Sequence, residues 1–198
     1  MNVLIGATPL LYAAEQGHYD ACALLLDMGA NIHSICKEEG YYKFKALHLA
    51  AEQGHANVCE LLLDRGMDIN ATVIPSDKCF STALNWATSN DRLDVVKLLL
   101  KRGADPNIRS KYSLLYSAIE YGSSTEICKL LIDHGANIED YTADGTPLYM
   151  ALYQDRDDVA KLLIAKGANT DLSQIAYRVE TGMVLGLIDI LTDMVRNR

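Results

Sequence analysis

Five copies of one short pattern run along this chain, and that recurrence limits its fold more than any other feature. The first copy is Thr8-Pro9-Leu10-Leu11-Tyr12-Ala13-Ala14-Glu15-Gln16-Gly17, and its counterparts begin at Lys45, Thr82, Ser113 and Thr146. Each is followed by a Leu-Leu-Leu or Leu-Leu-Ile core that runs into a glycine: Leu24–Leu26 with Gly29, Leu61–Leu63 with Gly66, Leu98–Leu100 with Gly103, Leu130–Ile132 with Gly135, and Leu162–Ile164 with Gly167. A sixth, degenerate copy runs from Ser173 to the end and keeps Ile175, Gly182 and an apolar second segment. The pattern predicts two short helices per repeat. Thr8 is suited to cap the first, and Pro9 at its first position gives up no hydrogen bond. The pairs Ala13-Ala14 and Ala50-Ala51 keep that helix thin enough for close packing. Glycines 17, 54 and 122 permit a left-handed turn between the helices, and glycines 29, 66, 103, 135 and 167 one after the second. Gly182 is counted with the first set.

Stretches such as Ala46-Leu47-His48-Leu49-Ala50-Ala51, Gly103-Ala104-Asp105-Pro106-Asn107 and Gly135-Ala136-Asn137-Ile138 resemble the T-P-L-H-x-A-A and L-L-L-x-x-G-A-[DN] signatures of the ankyrin repeat. The resemblance covers almost the whole chain. It implies an all-α fold: an ankyrin-repeat solenoid of stacked helix-turn-helix units with projecting β-turn fingers. A lone repeat buries too little apolar surface to fold, so the units share one core with atypical repeats at the ends. The expectation is one domain over residues 1–198, with residues 173–198 as the C-terminal cap. In that cap Asp189, Thr192, Asp193 and Arg196 face water while Leu187, Ile188 and Leu191 pack inward.

The spacing is uneven. Repeat starts at 8, 45, 82, 113, 146 and 173 are separated by 37, 37, 31, 33 and 27 residues. The variation lies in the fingers. Gly29 to Lys45 and Gly66 to Thr82 each take 16 residues, against 10, 11 and 6 for the later three. Long loops are tolerated cheaply and often carry function. The first finger, Ser34–Phe44, carries Tyr41, Tyr42 and Phe44; the second, Ala71–Ser81, carries Phe80. Two readings stand side by side: an apolar contact surface for a partner, or aromatics folded back onto neighbouring fingers.

Chemistry is sparse. The five histidines are all accounted for by their places in the repeat, and in the resembling family the residue at the His48 position ties the finger turn together. Cys22, Cys59 and Cys128 share a second-helix position and read as small core residues; Cys36 and Cys79 lie on fingers and read as exposed. An odd five cysteines with no C-x-x-C pair suggests neither a disulfide framework nor zinc, so a reducing, cytosol-like compartment is expected. No nucleotide-binding, zinc-protease or hydrolase motif is present, and the chain reads as a non-enzyme needing no cofactor. A net charge of −8, with 26 acidic against 18 basic residues, disfavours nucleic acid and favours a neutral to basic protein partner. No apolar run is long enough to span a bilayer. Nothing in the pattern calls for self-association, so a monomer is expected.

Of fourteen aromatic residues, only Tyr19 falls in a second helix. On the first helix, positions four and eight after the repeat start share a face. They read Tyr12 and Gln16, Leu49 and Gln53, Trp86 and Asn90, then Tyr121; Tyr153 borders them. The resemblance implies that this face lines a concave groove that holds partner proteins. The chain thus reads as an adaptor or inhibitor that binds a protein or extended peptide through the groove and the long N-terminal fingers. The alternative is a targeting module of a larger protein, or a microbial effector translocated to a host cytosol. The resemblance also marks Asn70 and Asn107 as asparagines open to hydroxylation, which the intact mass of native protein checks.

Overall fold

The computed structural model describes residues 7–37, 43–73, 81–108, 111–142, 145–171 and 181–196. It divides into two compact units, Met1–Lys111 and Tyr112–Arg198. The N-terminal unit holds three helix pairs: α1 (Pro9–Glu15) with α2 (Tyr19–Asp27), α3 (Ala46–Gln53) with α4 (Ala56–Asp64), and α5 (Ala83–Ser89) with α6 (Leu93–Lys101). Between the first two pairs run strands β1 (Cys36–Lys37) and β2 (Lys43–Phe44), antiparallel with Cys36 opposite Phe44. The C-terminal unit holds α7 (Leu114–Glu120) with α8 (Thr125–Asp133), α9 (Pro147–Tyr153) with α10 (Asp157–Ala165), and a longer helix α11 (Thr181–Arg196).

The first helices start where a hydroxyl can cap them. Thr8, Thr82, Ser113 and Thr146 each accept a hydrogen bond from the backbone N–H three residues on. At Thr82 the cap is reciprocal, because the Asn85 side chain accepts from the Thr82 N–H at 2.8 Å. Lys45 begins its repeat without such an oxygen, and α3 has no side-chain cap. The second helices end alike. After α2, Gly29 at φ 85° lets its own N–H reach Leu26 O and that of Ala30 reach Leu25 O, at 3.0 and 2.9 Å. The finger then opens with an Asx turn: Asn31, Asp68, Asp105, Asn137 and Asn169 each accept from the N–H two residues on.

Within the N-terminal unit α1, α3 and α5 pack side by side, as do α2, α4 and α6. Leu10, Leu47, Leu62, Leu84 and Leu99 are buried, and Ala50, Ala51 and Ala87 allow the close approach. Side chains also latch each repeat to its predecessor. The His55 ring Nε2 lies 3.0 Å from Glu15 O, and Arg92 Nε donates to Glu52 O at 2.8 Å. Gly17 sits directly over the first latch. Its φ is 72°, and an added Cβ would stand 2.5 Å from Nδ1 of His55, so the position demands glycine twice. Where the sequence replaces the inter-helix glycine, Asp91 and Asp155 take up the left-handed conformation themselves, at φ 54° and 53°. A second contact runs along the ends of the second helices. Arg65 pairs with Asp27 and Arg102 with Asp64, both at 2.8 Å, and in the C-terminal unit Lys166 pairs with Asp133 at 2.5 Å.

The C-terminal unit packs α9 on α7 and α11 on α9 and α10. Its core is Leu115, Tyr116, Ile119, Leu131 and Leu148. In α11, Leu187 is buried as expected and Asp189, Thr192, Asp193 and Arg196 are exposed. Ile188 departs from expectation: it is 51% exposed, and Ile190 takes the inward place. Two residues span 200° of helix, so Leu187 and Ile190, 300° apart, define a face that Ile188 misses. Gly182 likewise marks no turn, for it lies inside α11.

Candidate partner-binding site

The first helices are seven or eight residues long, and the helices packed against them leave part of their surface in solvent. In the N-terminal unit this exposes Tyr12, at 59%, together with Gln16, Gln53 and Asn90. Asn90 also closes its own helix, its amide Nδ2 donating to Trp86 O at 2.9 Å. In the C-terminal unit Tyr121 follows α7 and Tyr153 ends α9, exposed by 66% and 54%. Tyr149 stacks on Tyr153, with ring centroids 6.1 Å apart and planes 18° apart. Tyr141, on the finger before α9, is 53% exposed and was not marked by its sequence position.

Three residues expected on the binding surface are placed elsewhere. Leu49 is 2% exposed, because α3 is flanked by first helices on both sides while the equivalent Tyr12 has one on a single side. Phe44 is 3% exposed and packs edge-on against Trp86, with centroids 5.1 Å apart and planes tilted by 57°. Trp86 is consequently half-buried and its indole Nε1 is shielded from solvent. Of the two readings of the finger aromatics, the folded-back one holds for Phe44. Tyr41, Tyr42 and Phe80 lie outside the described residues. Cys36, expected to be exposed, is buried where β1 meets β2, its thiol facing Phe44 O.

His48 and the second-helix cysteines are structural. His48 is fully buried under the second long finger, with Nε2 donating to Ala71 O at 3.0 Å. Ala71 opens that finger, and the bridge from Val73 to Ser81 closes it. Burial holds the His48 pKa down to about 4, and the Lys45 charge adds to this against the pull of the Ala71 and Ser81 carbonyls. Burial also pushes the thiol of Cys59 up to about 12 and that of Cys128 to about 11, so neither is a thiolate near neutrality. Asn70 joins two fingers, its side-chain oxygen accepting from Asp105 N–H at 3.0 Å, and Asn107 is exposed on the second of them. Among the described residues no group of three or more metal-ligating side chains converges, and no helix is long and apolar enough to cross a membrane.

Each unit therefore carries its own exposed tyrosines, and the N-terminal unit exposed amides as well, on or just after its first helices. Exposed aromatics and amides of this kind offer apolar area to bury and groups to hydrogen-bond when another molecule covers them. Comparison with known proteins agrees with the fold. The sequence model for the family described as ankyrin repeats (3 copies) matches residues 2–73, 36–110 and 84–174. The crystal structure of the human ASB11 ankyrin repeat domain superposes with a TM-score of 0.73 at 25% identity, covering 93% of this chain and 84% of that one. No curated protein sequence matches.

Proposed function

Because this chain belongs to the ankyrin-repeat family, whose repeats generally mediate protein–protein interaction, we propose that it is a non-catalytic adaptor that captures a protein or extended peptide on the exposed ends of its first helices. One observation carries the reading. Tyr121 and Tyr153 are each more than half exposed, and they sit just past the end of α7 and at the end of α9. Large aromatics held rigid at low entropic cost are the usual anchors of protein interfaces. The N-terminal unit offers exposed Tyr12, Gln16, Gln53 and Asn90 of its own. A net charge of −8 favours a neutral to basic partner and disfavours nucleic acid. Buried free thiols at Cys22, Cys36, Cys59 and Cys128 support a reducing, cytosol-like compartment. Asn70 and Asn107 are retained as proposed hydroxylation positions.

The test is the double variant Tyr121→Ala/Tyr153→Ala. Both side chains are mostly in solvent, so thermal stability should stay close to that of the parent. Retention of partners on immobilised protein should fall by at least about tenfold, a loss of ~1.4 kcal/mol or more. Undiminished retention of the same partners by the folded variant would remove the tyrosines from the binding surface. Trp86→Ala is a poor substitute, because losing the ring also strips the cover from Phe44.

A further inference from the structure

Two helices of this chain, α2 and α11, turn apolar side chains to solvent. In α4 and α6, Val58 and Val95 are wholly buried and Leu61 is 7% exposed. Each of those helices follows another second helix, α2 or α4, against which it packs. Their counterparts in α2 are Ala21 and Leu24. Among the described residues no helix precedes this pair; Ala21 is exposed, Leu24 is 61% exposed, and Met28, one turn on, is 76% exposed. These three lie on one stripe of α2. At the other end α11 packs inward through Leu187 and Ile190. A second apolar stripe on the same helix stays in solvent: Leu185, Ile188 and Val195, exposed by 57%, 51% and 72%.

The chemistry of these faces is matched. Arg65, Arg102 and Lys166 each reach back to an aspartate on the repeat before. Met28 holds the equivalent position in the first repeat, so the face it belongs to suits an apolar neighbour and not an acidic one. On α11 the aspartate nearest in kind, Asp193, is already held by Lys161 at 3.3 Å, which leaves the aliphatic stripe to make the contact. One chain thus carries two apolar helix faces, and the one on α2 matches the face that its own later repeats bury. We infer that a second copy of this chain docks there, the α2 face of one molecule stacking on the α11 face of the next in continuation of the repeat-on-repeat contact. This replaces the monomer expected from sequence alone. The contact is head-to-tail, so copies add one after another, into an open chain or into a ring if the rotation between copies closes it. A charge of −8 on every copy opposes the approach, and added salt relieves that repulsion.

Light scattering on the full chain over a hundredfold range of concentration tests the inference. The weight-average mass should climb without levelling at a dimer, and more steeply at high salt. Leu24→Glu/Met28→Glu and Ile188→Glu/Val195→Glu should each be folded and monomeric, since all four side chains are more than half exposed. Mixed together, the two variants should form a one-to-one dimer, because each keeps one intact face. A parent chain that stays monomeric throughout, a single-face variant that still self-associates, or a mixture that fails to pair would overturn the inference.

Discussion

Tyr116→Ala should cost about 3–5 kcal/mol of stability, the range for deleting a fully buried aromatic ring. The ring is 0% exposed, packs at a 35° tilt against Tyr112 with centroids 5.1 Å apart, and belongs to the core of the C-terminal unit. Its backbone N–H takes the Ser113 cap at 3.2 Å, so the substitution leaves the helix start intact and removes only side-chain packing. The hole opens among rigid neighbours, Leu115 and Ile119 beside it in α7, which collapse only in part. Urea denaturation measures the loss directly. Tyr149 holds the equivalent place one repeat later but is half-buried, with its ring stacked on Tyr153 at the surface. Tyr149→Ala should therefore cost roughly half as much. Equal losses at the two positions would show that burial does not set the energy.

Acid should weaken the fold chiefly through His48. An unfolded chain protonates this ring near pH 6.5, while the folded protein, with the ring sealed under the finger, does so only near pH 4. Between those values the unfolded state holds one more proton than the folded state. Stability from this group is thus complete above about pH 6.5 and falls on acidification by ~1.4 kcal/mol per pH unit, levelling off below about pH 4. The total is about 3 kcal/mol. His48→Gln keeps a donor for Ala71 O but binds no proton. Denaturation at pH 7 and pH 4.5 should show a smaller drop for the variant than for the parent, by a margin set by this one proton. Parallel drops would mean that other groups carry the acid sensitivity. Carboxylates paired on the surface, such as Asp133 beside Lys166, contribute equally to both proteins and cancel in the comparison.

The fold was legible because each signal is local. Thr8, Thr82, Ser113 and Thr146 fix helix starts by hydrogen bonds that span three residues, and Gly29 fixes an end by its own φ. The His48 latch could be anticipated because it acts on the finger of its own repeat. The binding surface was less legible because exposure depends on what lies alongside. Tyr12 and Leu49 occupy one position of one pattern, yet 59% and 2% exposure separate them, and only the presence of a flanking helix explains it. Phe44 and Trp86 are 42 positions apart, and nothing in either neighbourhood announces that they meet. Ile188 was misplaced for a related reason: the degenerate last copy has no period to say which of its aliphatics face inward.

The latches from His55 to Glu15 O and from Arg92 to Glu52 O both span 40 positions. In the N-terminal unit the second and third repeats each carry a hook for the repeat behind, and the first and second each offer, on the last turn of the first helix, the carbonyl that the hook reaches. A stretch of DNA encoding one such unit can consequently be copied in tandem and find its place at once, with no compensating change elsewhere. The same arithmetic penalises any insertion between the end of a first helix and the hook that follows it, while leaving the fingers free to drift in length. Growth of this chain by whole repeats, with divergence confined to the fingers and the helix tips, is the history its bonding pattern permits most readily.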